Sequence, residues 1–211
     1  QTGCTVVLII EACYSGSFIQ GLTSAEGYKR IILTSADDKP YNTDDKGNIS
    51  FSGFLFKKLR EGNNFFKAFT YTSNFLQNMG YPPPRLEDFS GGILATAMIL
   101  KGDLTWGLRP VVAGIEAPSL LEGRTSTPVA VSVTRGDVDV EKAWVQVIAP
   151  NAKIIGLEDT IAYPEVSLVK NAATGKYEGT IAGLTVAGTY KIVVFAQDVD
   201  REISDPVTAF I

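Results

Sequence analysis

The first half of the chain opens with a short apolar run that breaks abruptly into polar residues. Val6–Ile10 are apolar, rich in β-branched side chains and too few for a stable helix, so they predict a strand buried on both faces of a parallel sheet. Residues 30–35 predict the next strand, with the side chains of 31–33 buried. Between these strands, residues 17–29 are small and polar and predict a loop.

Two helical patterns follow the strands. Phe51, Phe54, Leu55 and Leu59 recur at helical spacing and predict a helix with cations near its end. A second helix is predicted over residues 64–79, where it stops before Gly80 and a proline run. Residues 82–92 are predicted to cross the surface, and 93–100 to return as a buried segment.

The second half of the chain has a different pattern of apolar and polar residues. Residues 103–121 contain Pro110 and Pro118 and predict a connector. Short alternating segments separated by turn residues then occupy 127–134, 140–148, 165–170, 176–181, 189–197 and 206–211. This regular spacing of short strands predicts an all-β sandwich.

Candidate chemistry lies where the first apolar run ends. The run is followed by Glu11, Ala12, Cys13, Tyr14 and a small-residue turn. In open α/β sheets, catalytic groups collect just past the carboxyl ends of strands, where a rigid strand can present a nucleophilic thiol. Against this, a cysteine beside a buried strand is most often a small core side chain. The residues alone leave both interpretations open.

The segment from Glu11 to Ser17, after its apolar strand, resembles the nucleophile strand of the caspase-like clan of cysteine peptidases. The resemblance is to legumain-type and bacterial caspase-like enzymes, and it extends to about Gly102. It implies an α/β caspase-like fold, with residues 1–106 forming the carboxyl-terminal part of a peptidase domain. It further implies that Cys13 is the catalytic nucleophile of a hydrolase and that its backbone N–H helps to stabilise the oxyanion.

The resemblance also implies a substrate-binding pocket. Ser35 and Ala36 would form one wall beside the substrate side chain, with Asp37 next to them, and Glu11 would contribute to the pocket floor. A carboxylate in a partly dry pocket favours Arg or Lys through a charge-assisted hydrogen bond. Legumain has a comparable glutamate and yet selects asparagine. Cleavage after basic residues is therefore expected first, and cleavage after asparagine second.

The sequence departs from this family because it contains no histidine. These peptidases use a Cys/His dyad, whose imidazole lies upstream of the cysteine in a His-Gly pair. The expectation is that the chain is a piece of a longer protein and is inactive alone. Its expected partners are a peptide or protein substrate and the missing amino-terminal part of the peptidase domain. Edges left by missing strands would favour dimerisation or strand swapping. The alternative is a non-catalytic binding or adhesion protein with a peptidase-like scaffold.

The second half carries a weaker resemblance. Tyr190, followed by alternating apolar residues, resembles the strand that bears a tyrosine corner in immunoglobulin-like domains. Residues 107–211, including the connector, are accordingly expected to form an immunoglobulin-like β-sandwich. Such modules follow peptidase domains in secreted bacterial proteins, so the expected location is extracellular or periplasmic.

Charge excludes one class of partner. With 19 basic and 23 acidic residues, the net charge of -4 offers no basic surface for nucleic acid. No apolar run approaches a membrane-spanning length.

Neither a disulfide nor a cofactor is expected. If residues 5–12 are extended, Cys4 and Cys13 lie about 30 Å apart, whereas bridged α-carbons lie about 5.5 Å apart. No cofactor or metal is predicted, because the acidic clusters at 137–141 and 198–200 are commonest as solvated turn carboxylates rather than calcium ligands.

Overall fold

The computed structural model describes residues 4–23, 29–44, 46–100, 108–119, 123–136, 138–152 and 160–211. The chain divides into two compact units, one comprising 1–106 with 153–162 and the other 107–152 with 163–211. Of the described residues, 160–162 group with the first unit.

The first unit combines a small sheet with helices. In chain order its elements are β1 (Val6–Ile10), α1 (Phe18–Gly21), β2 (Arg30–Thr34), β3 (Thr43–Asp44), α2 (Phe51–Arg60), α3 (Phe65–Asn78), β4 (Arg85–Asp88) and α4 (Ile93–Ala97). The sheet has three strands in the order β1-β2-β4. A single 3-10 turn, Ser15–Ser17, precedes α1. Helix α1 lies inside the segment 17–29 that was predicted as a loop, whereas the 3-10 turn begins before that segment.

The three-stranded sheet is mixed. β1 pairs with β2 in parallel, from Val6 opposite Arg30 to Ile10 opposite Thr34, whereas β2 pairs with β4 antiparallel. The mostly parallel sheet expected for a caspase-like fold is therefore not what these three strands form. The strand predicted at residues 6–10 is confirmed. The strand predicted at 30–35 is confirmed as Arg30–Thr34, and it is buried as predicted.

The prediction that β1 is buried on both faces is wrong. Val6 is 42% exposed and the other four residues of β1 are half-buried. The reason is topological, since within the described residues β1 pairs with a neighbour on one side only, as an edge strand. The central place belongs to β2, where Ile31, Ile32 and Leu33 have no exposed surface.

Helices α2 and α3 confirm the predicted helical patterns. The Ser50 hydroxyl accepts a hydrogen bond from Gly53 N, and the Asn64 side chain accepts one from Lys67 N, so both helices have side-chain caps. Between the helices, the rings of Phe54 and Phe75 pack edge to face with centroids 4.6 Å apart. The apolar stripes are therefore core.

The predictions after α3 are less successful. Residues 82–92 contain β4, which was not predicted, because its sequence Arg-Leu-Glu-Asp shows no apolar alternation. The prediction that 93–100 is a buried segment is wrong, since Ile93 is 68% exposed and only Ala95 of α4 is buried.

The second unit is built on one antiparallel sheet. Its strands are β5 (Val111–Glu116), β6 (Ser126–Thr134), β7 (Val140–Ile148), β9 (Glu165–Lys170), β10 (Tyr177–Ala182), β11 (Lys191–Asp198) and β12 (Val207–Phe210). They form a seven-stranded sheet in the order β12-β11-β7-β9-β10-β6-β5. The six predicted strands are confirmed, whereas β5 lies in the predicted connector and was missed. The intervening β8 (Thr160–Ile161) belongs to the first unit, where it pairs in parallel with β3.

The sheet folds around its own core because β9 changes partner along its length. Its residues 165–168 pair with β7, whereas Val169 and Lys170 pair with β10. The enclosed core draws on both halves of the sheet. Its fully buried members include Val131, Val145, Ile181, Ile192, Val194 and Ala196.

Tyr190 belongs to this core. It is 3% exposed, and its hydroxyl accepts a hydrogen bond of 2.7 Å from Val186 N, four residues upstream. This is the contact that a tyrosine corner makes.

The longest described helix, α3, has 14 residues, whereas a span needs about 20 apolar residues. No helix in the described ranges is long and apolar enough to cross a membrane.

Candidate functional site

Cys13 lies in the turn that follows β1. Ser35 N donates to Ile10 O at 3.0 Å, so the pairing with β2 continues to the last residue of β1 before the chain turns. Cys13 is exposed, and so is Cys4; neither forms a disulfide. The structure therefore presents the thiol at the carboxyl end of a strand and on the surface, rather than walled in by aliphatic side chains.

Hydrogen bonds hold this turn against main-chain atoms of the segment 37–41. Cys13 Sγ donates to Tyr41 O at 3.2 Å and accepts from Tyr41 N at 3.3 Å. Tyr14 N donates to Lys39 O at 2.8 Å, and Gly16 N donates to Asp37 O at 3.0 Å. The two segments run antiparallel, and the sulfur is held at one end of the pairing.

Two backbone features of this turn are unusual. A Cβ built on Gly16 would lie 2.7 Å from both Cα and O of Asp37, so only glycine permits this approach. Tyr14, a non-glycine residue, has φ 55, in the left-handed region that L side chains adopt rarely. Tyr14 is also 44% exposed, directly after Cys13.

Two buried serine hydroxyls link the Cys13 turn to the end of β2. Ser15 Oγ accepts from Ala36 N at 3.0 Å and donates to Ala36 O at 3.1 Å. Ser35 Oγ accepts from Ala12 N at 3.1 Å. Ser35 and Ala36 have no exposed surface here. The structure thus places Ser35 and Ala36 in contact with the residues on either side of Cys13. Their contact with a substrate side chain stays a prediction.

The backbone N–H of Cys13 is available. Among the hydrogen bonds of the described residues, none has this N–H as its donor. An uncommitted N–H beside the thiol suits the predicted oxyanion role, which stays a prediction.

Glu11 lies beside Cys13 and reaches the first turn of α2. Its Oε1 accepts from Tyr41 Oη at 2.9 Å and from Phe51 N at 2.7 Å. Its Oε2 accepts from Ser52 N at 3.2 Å and from the Ser52 hydroxyl. The carboxylate therefore caps α2. The predicted contribution to a pocket floor stays a prediction.

Tyr41 connects Glu11 to Cys13. Its side chain is 5% exposed, with its ring centroid 5.8 Å from that of Tyr81. Burial, and next the negative charge of Glu11, raise the pKa of Tyr41 far above its usual range, so the phenol stays protonated. The hydroxyl thus remains a donor to Glu11.

Asp37 lies at the other end of the pairing. Its Oδ1 is 3.1 Å from an Arg85 guanidinium nitrogen, and the two side chains are 41% and 46% exposed. An ion pair this exposed contributes little to stability. Asp37 therefore keeps a carboxylate at the surface near the turn, with Arg85 as a competitor for any ligand.

Sequence reasoning missed Tyr41 and Ser52. They lie 30 and 41 positions from Glu11, Tyr41 in a loop without periodicity and Ser52 at the start of the predicted helix. A serine near a predicted helix start is a capping signal. This signal did not indicate that the carboxylate of Glu11 would accept hydrogen bonds from the first turn of α2.

No metal centre forms in the described ranges, where no three His, Cys, Asp or Glu residues gather closely enough to hold an ion. In the second unit, Asp198 Oδ1 accepts from Asp200 N at 3.0 Å and Glu202 N at 2.9 Å, so it closes a turn. Asp139 pairs with Arg135 at 2.9 Å. Asp137 lies outside the described residues.

Comparison with known proteins gives no family. No family model matches the chain, and no curated protein matches it. Among solved structures, a computationally redesigned β-sandwich protein is similar, with 20% identity over 49% of this chain and 88% of that chain, and a TM-score of 0.32.

Proposed function

We propose that this chain carries the nucleophile of a cysteine endopeptidase of caspase-like type, joined to an immunoglobulin-like module. The observation that carries the proposal is the exposed thiol of Cys13, presented at the carboxyl end of β1. The thiol attacks the peptide carbonyl, the Cys13 N–H donates to the oxyanion, and an imidazole from outside this chain transfers the protons.

The open edge of β1 supports a partner for this unit. β1 pairs on one side only among the described residues, and its five apolar residues are all at least partly exposed. An unpaired apolar edge strand favours the addition of another strand. The occupant proposed here is the upstream part of the peptidase domain, which brings the histidine; a second copy of the chain is the other candidate.

The proposed substrates are peptides with Arg or Lys before the cleaved bond, and Asn second. The carboxylates of Asp37 and Asp38, in the segment paired with the Cys13 turn, support an acidic rim. The proposed setting is a secreted bacterial protein, extracellular or periplasmic.

The alternative is a binding or adhesion protein with an inactive peptidase-like unit. The observation that favours it is the absence of histidine from the sequence. It predicts that no added upstream segment restores hydrolysis.

The test uses the longer protein, with the upstream histidine segment, and fluorogenic peptides ending in Arg, Lys or Asn. Cys13→Ala is expected to abolish cleavage. Cys4→Ala, the matched control at the other exposed cysteine, is expected to retain it. Equal activities of the two variants would refute the assignment of Cys13.

A further inference from the structure

The carboxylate of Glu11 has no acceptor position left for a substrate. An ionised carboxylate offers about four lone-pair sites. In this structure four donors occupy them: Tyr41 Oη and Phe51 N on Oε1, and Ser52 N and the Ser52 hydroxyl on Oε2. A guanidinium or ammonium group could bind Glu11 only by displacing these donors.

The donors have a reason to stay where they are. Phe51 and Ser52 supply N–H groups of the first turn of α2, which have no acceptor within the helix. The positive end of the helix dipole also favours a carboxylate there. Removing Glu11 from this place would leave Ser52 N without this acceptor, and Phe51 N would keep only Tyr41 Oη, 2.6 Å away. The loss of an acceptor for a partly buried N–H group is costly.

The same tyrosine that binds Glu11 holds the sulfur. Tyr41 places its hydroxyl on Glu11 and its own N–H and C=O on Cys13 Sγ, at 3.3 and 3.2 Å. Glu11 and Cys13 are also joined through the chain. The carboxylate of Glu11 is therefore linked to the Cys13 thiol in two ways, by hydrogen bonds through Tyr41 and by the chain from residue 11 to residue 13.

We propose that Glu11 and Tyr41 are positioning residues that hold the Cys13 thiol, and that Glu11 does not select the substrate. This rests on the proposed function, in which Cys13 is the nucleophile. The Glu11–Tyr41 brace, defined as these two residues and the first turn of α2, keeps the Tyr41 N–H on the sulfur. Together, this N–H at 3.3 Å and the Tyr41 C=O at 3.2 Å fix where the sulfur lies.

The first test needs no peptidase activity. In this chain, alkylation of Cys13 by iodoacetamide at pH 7 is followed by mass spectrometry, with the exposed Cys4 as internal reference. Tyr41→Phe and Glu11→Gln are expected to lower the Cys13 to Cys4 rate ratio by about threefold or more, the equivalent of one weak hydrogen bond. An unchanged or increased ratio in both variants overturns the brace.

Matched controls separate the brace from a general loss of stability. Tyr81→Phe removes a hydroxyl from a neighbouring tyrosine that is 3% exposed, and Glu87→Gln removes a carboxylate from β4. Both are expected to leave the ratio unchanged; a fall equal to that of the brace variants overturns the proposal. If Glu11→Gln does not fold, the result for Tyr41→Phe alone tests the brace, because this variant keeps the packed aromatic ring and removes only the hydroxyl.

The second test separates positioning from selection in the longer protein. The brace predicts that Glu11→Gln and Tyr41→Phe lower kcat about tenfold for Arg, Lys and Asn substrates alike, with KM and the order of preference unchanged. If Glu11→Gln instead raises KM for basic substrates alone, Glu11 is the pocket floor and the proposal is wrong. A longer protein with no activity refutes the proposed function, whereas the alkylation result stands independently.

Discussion

At the residue scale, the position of the thiol depends on one missing methyl group. Gly16 lets the Cys13 turn pair closely with residues 37–41, because its Cα faces the Asp37 backbone. No flexible side chain is available there to move aside. The neighbouring Ser15 hydroxyl bonds both the N–H and the C=O of Ala36, which fixes the same approach from the buried side.

Gly16→Ala is therefore expected to destabilise the first unit. The added Cβ would lie 2.7 Å from Asp37 Cα, so the pairing must open, at a cost of about 1–3 kcal/mol. Urea unfolding measures this cost. The control is Gly21→Ala, since a Cβ at Gly21 meets nothing within 4 Å. Equal stability of the two variants would show that the turn is not closely packed.

At the element scale, the strands and helices with a clear period could be predicted and the polar connections could not. β2, α2, α3 and the six predicted strands of the second unit have apolar residues at the spacing of their element. β4 could not be predicted, because it forms through pairing with β2 and not through its own apolar pattern. For the site, the exposed thiol was predictable from its motif, whereas the bonding of Glu11 depended on a helix 40 residues away.

Asp88 links β4 to α4 and makes this part of the first unit sensitive to acid. Its Oδ1 accepts from Ser90 N at 2.8 Å, and its Oδ2 accepts from Ala95 N at 2.7 Å. Burial raises the pKa of Asp88, but these hydrogen bonds and that of the Ser90 hydroxyl outweigh it, and the pKa is lowered. Because the folded pKa lies below the unfolded one, Asp88 stabilises the fold at neutral pH and loses this effect as the pH falls below about 4.

Asp88→Asn is expected to lower the free energy of unfolding at pH 7 by about 1 kcal/mol, as for the loss of a cap. It should also flatten the fall of stability between about pH 5 and pH 2. Urea unfolding across this range measures both effects. Asp38→Asn, an exposed position, serves as the control. If both variants keep the acid dependence of the original chain, Asp88 is not its source.

At the scale of the whole molecule, the candidate nucleophile Cys13 and the seven-stranded sheet lie in different units. The described groups around Cys13 belong to the first unit, whereas the second has its own core around β7, β10 and β11. The Tyr190 hydroxyl bond to Val186 N is internal to that second core. Substitutions that alter the Cys13 turn and those that alter the sheet are therefore expected to act on separate properties.

The composition of the whole chain sets a limit on its chemistry. It has an exposed thiol but no histidine, so nothing in it can supply the imidazole that a Cys/His dyad uses. The isolated chain is expected to leave fluorogenic Arg, Lys and Asn peptides uncleaved over hours, while iodoacetamide still alkylates Cys13. Intact mass and fluorescence measure the two results in one sample, with Cys13→Ala as the control. Turnover that disappears in Cys13→Ala would mean that the thiol works without an imidazole, and the upstream histidine would no longer be required.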